Sequence, residues 1–375
     1  MTAISDFFLK SLSGIETAYD QSSFYIKKKL HLLGPLSIQP YLGFGSTDKV
    51  LISGRLLESE GQEAPKENAS VWSNIRTMYR RYESDEVPNA RIKVYFQNLE
   101  QIVKTDSEGY FKLILEDFEL DNENNWHDIH FELLDEIYPD QGPVTADGKV
   151  LIPDKCEYGI ISDVDDTILI SRSSDLIKKA QLTFFNNART RTPFSGVSAL
   201  YKALQGGSNG QQINPVFYVS SSPWNLYDLL YHFCDVHNIP KGPFLLRDMG
   251  VDSDTFIKSS HEKHKVAQIT TLFTLYPKTK FILIGDSGQK DPEIYEFMSR
   301  KYPENIQAIY IRDVTSDKRD KEVRAIAEKV KKQGIDMILA KNSTNAALHA
   351  YENGLIPRDA AEKIISSVEI EDQLK

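Results

Sequence analysis

The chain holds 375 residues with a formal net charge of −10, long enough for about two or three domains with full cores and of a balance that argues against a nucleic-acid partner. No apolar run approaches the roughly 20 residues needed to span a bilayer, and Met1 to Phe7 shows no basic region leading into an apolar core. A soluble, cytoplasmic protein is expected, peripheral at most to a membrane, and its two cysteines, Cys156 and Cys234, predict a reducing compartment without a disulfide framework.

In chain order, Phe7, Phe8, Leu12, Ile15 and Tyr19 recur at near-helical spacing, followed by Tyr25, Ile26, Leu30 and Leu33 around Lys27 to Lys29. They predict a helical arm over 1–34, packed on its own protein or laid on an anionic lipid surface. Residues 35–150 change to strands at Val50–Leu57, Ala90–Phe96, Gly109–Leu115 and Trp126–Leu133, with turn signals such as Asp106 to Gly109 between them. A small β-sandwich-like domain without visible chemistry is the expectation, and the polar stretch Glu58–Ala69 reads as an exposed loop. Residues 151–360 alternate strand and helix as a parallel α/β sheet requires. Its strands are Tyr158–Ile161, Pro215–Val219, Phe281–Ile284, Ile306–Ile311 and Ile335–Leu339, with a charged amphipathic helix at Asp320–Lys332. Residues 361–375 read as a polar, frayed tail.

The chemistry concentrates at strand ends. Asp163-Val164-Asp165-Asp166-Thr167 follows the first apolar strand of the α/β part. Two carboxylates two residues apart at the end of a buried strand repel, and a hard divalent cation such as Mg²⁺ is the simplest remedy. Partners follow in order. Ser220 is preferred as the first polar residue after the second strand, with Ser221 and Ser222 open as alternatives. Lys265 opens the helical pattern of Val266, Ile269, Leu272 and Phe273, ahead of its rivals Lys258 and Lys263. The third strand runs into Gly285-Asp286-Ser287-Gly288-Gln289-Lys290-Asp291.

This ordered set resembles the haloacid dehalogenase phosphohydrolases. The words Ser162 to Ile168, Tyr218 to Tyr227, Leu246 to Asp248, His264-Lys265 and Ile284 to Tyr295 are similar to the phosphatidate phosphatase family of fungal cortical actin patches and its bacterial relatives, over about residues 150–355. The resemblance implies a Rossmann-like parallel sheet without a large cap and a Mg²⁺-dependent phosphomonoesterase, in fungi acting on phosphatidate to release diacylglycerol. Asp163 would attack phosphorus and form an aspartyl-phosphate. Asp165 would protonate the leaving alkoxide and then deprotonate water. The metal set would be Asp163, Asp286 and the carbonyl of Asp165, with Asp291 either a further ligand through water or the holder of Lys265. Ser220 and Lys265 would grip phosphoryl oxygens.

Local positive charge for a phosphate ester is available at Arg189, Arg191, Arg247, Lys265 and Arg312. Thr167, Arg189, Arg191 and Arg247 are the expected substrate contacts. Short segments at 171–214 and 223–260 leave little room for a lid, which suits a bulky or membrane-held ester. Two other readings stand beside the lipid one: a phosphatase of a soluble ester, and a binding protein with a vestigial phosphatase fold. Gly285 to Gly288 also matches a trypsin-like nucleophile segment, but in the wrong fold class. His261 and His264 are three apart, which fails the zinc-protease spacing.

Overall fold

Alternate burial along the strands of the first half, and continuous burial along those of the second, separate two kinds of sheet in this computed structural model. It describes residues 34–58, 86–121, 124–168, 195–247, 259–315 and 317–373. The arm expected over 1–34 (save Gly34), the loop beyond Glu58, and the segment carrying Arg189 and Arg191 lie outside the described residues. Two units divide the chain, Met1–Asp154 and Lys155–Lys375.

The first unit carries β1 (Leu36–Pro40), β2 (Gly43–Gly45), β3 (Lys49–Glu58), β4 (Arg91–Phe96), β5 (Leu99–Lys104), β6 (Tyr110–Glu116), β7 (Trp126–Leu133) and β8 (Thr145–Leu151). They form one eight-stranded sheet in which every pairing is antiparallel except that of β2 with β8. Ile92, Val94 and Phe96 on β4, with Ile129, Phe131 and Leu133 on β7, turn the same face into the core. This is the in-out alternation of a sheet buried on one side. Strands β1, β2, β5 and β8 are additions to the sequence expectation. In β5 no residue is fully buried, so its sequence has no alternation to show.

The second unit is a parallel α/β sheet. Its strands are β9 (Gly159–Ser162), β10 (Val216–Pro223), β11 (Phe244–Arg247), β12 (Phe281–Asp286), β13 (Ile306–Arg312) and β14 (Met337–Ala340). All pairs are parallel, in the order β11-β10-β9-β12-β13-β14. The helices are α1 (Val197–Gly206), α2 (Tyr227–Val236), α3 (Ser259–Leu275), α4 (Asp291–Lys301), α5 (Asp317–Lys331), α6 (Ser343–Glu352) and α7 (Arg358–Gln373). One group joins α1, α6 and α7; another joins α3, α4 and α5. Every residue of β9 and β12 is buried, as a sheet covered on both faces demands. Gly159 permits close packing there, since a Cβ would fall 2.3 Å from the Phe281 ring. Strand order reverses between β9 and β12, and the crevice at their carboxyl ends is where open α/β sheets hold ligands.

Two expectations need correction. Residues 358–373 are helix rather than a frayed tail: Ala361, Ile364 and Val368 are buried along one face of α7. The last turn is also anchored, because Asp372 Oδ1 accepts from Ser195 Oγ at 2.5 Å and Glu371 Oε2 from the Gly196 amide at 3.1 Å. Nor does α3 begin at Lys265; it begins at Ser259, which sets Lys265 in its second turn. No helix among the described residues is long and apolar enough to cross a membrane.

Candidate active site

Strand pairing brings the distant acids together. Asp163 follows β9 and its amide donates to Ile284 O on β12 at 2.8 Å. Asp286 ends β12 and Asp291 opens α4. One carboxylate oxygen from each of Asp163, Asp286 and Asp291 lies within 4.8 Å of the others, and all three residues are buried. From α3, Lys265 enters this group, its Nζ 2.7 Å from Asp163 Oδ1 and 2.6 Å from Asp291 Oδ1. Asp291 is thus in contact with Lys265 while also standing in the acidic group; of the other lysines, Lys263 is exposed and Lys258 lies outside the described residues.

The loop from Asp286 to Asp291 is built around its first carboxylate. Amides of Gly288 and Gln289 donate to Asp286 Oδ1 at 2.6 and 2.8 Å, and the Asp286 amide donates to Asp291 Oδ2 at 3.2 Å. Asp286 Oδ2 is buried without a hydrogen-bond partner among the described residues, an arrangement native proteins rarely leave unexplained. Gly285 is required by close approach: a Cβ would stand 2.7 Å from Asp291 Oδ2.

Burial dominates the electrostatics. It raises the Asp163 carboxyl well above its ordinary range, with Asp291, Asp165 and Asp286 adding to the rise and Lys265 opposing it. Asp286 is pushed up to about 7, by burial first and by Asp291 second. Burial also works against the Lys265 ammonium, but Asp163 and Asp291 more than offset it and hold it charged. Three buried acids share one cation. An all-oxygen donor set with a bare buried oxygen fits a hard divalent ion such as Mg²⁺, which would complete the charge balance.

Asp165 faces β10. Its Oδ2 accepts from Ser220 Oγ at 3.0 Å and Ser222 Oγ at 3.2 Å, and Ser220 Oγ accepts from the Ser222 amide at 3.0 Å. Its carbonyl accepts from Gln289 Nε2 at 3.1 Å. Gln289 Oε1 also lies 3.5 Å from Lys265 Nζ. Thr167 Oγ1 donates to Asp163 Oδ2 at 3.2 Å, while the Thr167 carbonyl accepts from Arg312 Nη1 at 3.3 Å. Asp166 takes the left-handed conformation at φ 56°. Arg247 ends β11 on the same sheet edge, where its charge lowers the His261 pKa after burial does; it forms no ion pair with the carboxylates. Ser222, one of the alternatives to Ser220, shares the contact to Asp165, and Gln289 is the contact the sequence did not single out. Gln289 lies inside the acidic loop, but nothing in its identity reveals a bridge to Asp165.

Residues 158–313 match the family model described as "Phosphatidate phosphatase APP1, catalytic domain". Phosphatidate phosphatase APP1 of Saccharomyces cerevisiae is 32% identical over 163 residues, covering 43% of this chain and 27% of that protein. An uncharacterized protein of Schizosaccharomyces pombe is 30% identical over 218 residues, covering 57% of this chain and 35% of its own length. The match thus spans about a third of the length of these relatives. Among solved structures, a carbohydrate acetylesterase from Xanthomonas citri shares 12% identity over 79% of this chain and 74% of that one, with a TM-score of 0.26, a likeness too slight to carry an argument.

Proposed function

Since residues 158–313 resemble the catalytic domain of the phosphatidate phosphatases, we propose that the second unit is a Mg²⁺-dependent phosphomonoesterase of the haloacid dehalogenase type that releases diacylglycerol and phosphate from phosphatidate. The observation that carries this is the meeting of Asp163, Lys265, Asp286 and Asp291 at the strand-order reversal, with Asp286 Oδ2 buried and bare. The order β11-β10-β9-β12-β13-β14 supports a Rossmann-like layout. We read the largely antiparallel first unit as a small sandwich-like domain, and the phosphatase as acting from the aqueous side of a membrane surface.

Asp163, Asp286 and the carbonyl of Asp165 would hold the ion, with Asp291 restrained beside them by Lys265. When bound, Mg²⁺ supplies positive charge that stabilises the phosphoryl oxygens by several kcal/mol in the transition state. The protein's own groups do the rest. An oxygen of Asp163 bonds to phosphorus as the bond from phosphorus to the glycerol oxygen breaks, and Asp165 gives that departing oxygen a proton. In the second step Asp165 takes a proton from water, the water oxygen bonds to phosphorus, and the bond to Asp163 breaks to leave inorganic phosphate. When Asp165 turns from the β10 hydroxyls to the leaving group, Ser220 is released to donate to a phosphoryl oxygen. Lys265 supplies a fixed point charge on the other side.

The test is phosphate release in Mg²⁺ and in chelator, from micellar phosphatidate and from soluble esters. Release from phosphatidate that stops with chelator is the expected result. Preference for soluble esters retires the lipid substrate, and no release from any ester in Mg²⁺ ends the phosphatase reading in favour of a binding role.

A further inference from the structure

The turn that grips Asp286 from within is gripped in its turn from outside. Arg319, in the first turn of α5, donates from Nε to Ser287 O at 2.9 Å and from Nη2 to Gln289 O at 3.1 Å. Its Nη1 and Nη2 each reach one Glu293 carboxylate oxygen at 2.8 Å, a two-pronged contact with the first turn of α4. Glu322, on its own helix, takes a further bond from Nη1 at 3.2 Å. The Arg319 side chain is only 18% exposed. Ser287 and Gln289 flank Gly288, and it is the Gly288 and Gln289 amides that fix Asp286 Oδ1. One planar guanidinium thereby joins two carbonyls of the loop to two helices.

We infer that Arg319 is a positioning residue for the acidic loop, holding the Gly288 and Gln289 amides on Asp286 so that its free oxygen stays set for a hard divalent cation. This rests on the metal-dependent reading above. Lysine cannot replace it, because a single ammonium lacks the fixed fork needed for two carbonyls and a carboxylate together. Deleting a positive charge near three carboxylates should by Coulomb attraction alone strengthen cation binding, whereas loosening the loop weakens it.

The full chain, its Arg319→Ala variant and its Arg319→Lys variant are titrated with Mg²⁺ by calorimetry and with Mn²⁺ by electron paramagnetic resonance, with thermal unfolding recorded separately in chelator. Arg319→Ala should bind Mg²⁺ about tenfold more weakly, the scale of lost support around a ligand. Arg319→Lys should also bind more weakly although its charge is retained. Variants that bind as tightly as the parent, or more tightly, overturn the inference and leave the phosphatase reading standing. A parent chain that binds neither ion removes the metal reading and this inference with it. Should Arg319→Ala fail to fold, Arg319→Lys decides the matter on the same criterion.

Discussion

Replacing Lys265 with Met measures how far the buried acids depend on one ammonium. Nζ sits 2.7 Å from Asp163 Oδ1 and 2.6 Å from Asp291 Oδ1, with side-chain exposures of 5%, 1% and 0% for the three residues. Removing one partner from a buried ion pair costs about 3–5 kcal/mol. Because both acids share one cation, that range is taken once. For a unit of this size each kcal/mol shifts the unfolding midpoint by about 2–4 °C, so Lys265→Met should unfold roughly 6–20 °C lower at pH 7 in chelator. The pH dependence has a definite sign. Burial raises the Asp163 carboxyl above its unfolded value, and losing Lys265 removes the main influence that lowers it. A carboxyl raised in the folded state favours folding fully below its unfolded pKa, and that contribution is lost as pH rises through the folded pKa. The deficit is therefore largest at pH 7 and shrinks towards pH 5. Circular dichroism melts of both proteins across that range check it. A variant as stable as the parent at pH 7, or a deficit that grows on acidification, would refute the reasoning.

Asp163→Asn should fold and release no phosphate; substantial turnover against the parent would move the nucleophile elsewhere. Gly285→Ala places a methyl 2.7 Å from the Asp291 carboxylate, so it should lose about 1–3 kcal/mol to overpacking and weaken Mg²⁺ binding, both readable by urea unfolding and calorimetry. Ile364→Ala, at a fully buried position of α7, should cost about 2–5 kcal/mol in denaturant; a change within error would mean that helix is not packed as described.

Much of the second unit is legible because its strands are largely apolar runs that give way to polar residues. Asp163, Ser220 and Asp286 each follow such a run in the sequence, yet all three are buried, and Ser220 lies within β10, which continues to Pro223 rather than ending at Val219. Lys265 is legible from its order in the chain more than from its helix, whose true start at Ser259 has no strong apolar period to mark it. The C-terminal helix escaped because only Ala361, Ile364 and Val368 are buried among many charges. Strand β5 escaped for a related reason: it pairs with β4 alone and leaves most side chains in solvent. The contacts of Gln289 and Arg319 are tertiary, with a bond from Gln289 to a carbonyl 124 residues away. No local pattern encodes such a reach.

The neighbouring of β9 and β12 has a consequence for how the protein comes into being. A nascent chain carries Asp163 long before it acquires Asp286 or Asp291, and until β12 slots in beside β9 that acid is one solvated carboxylate among many. Such non-local pairing is slow to form, so an ion held by the proposed site could be captured only once the native topology is in place. Divalent-ion affinity should thus report completed folding, silent in every intermediate that lacks the central strand pair.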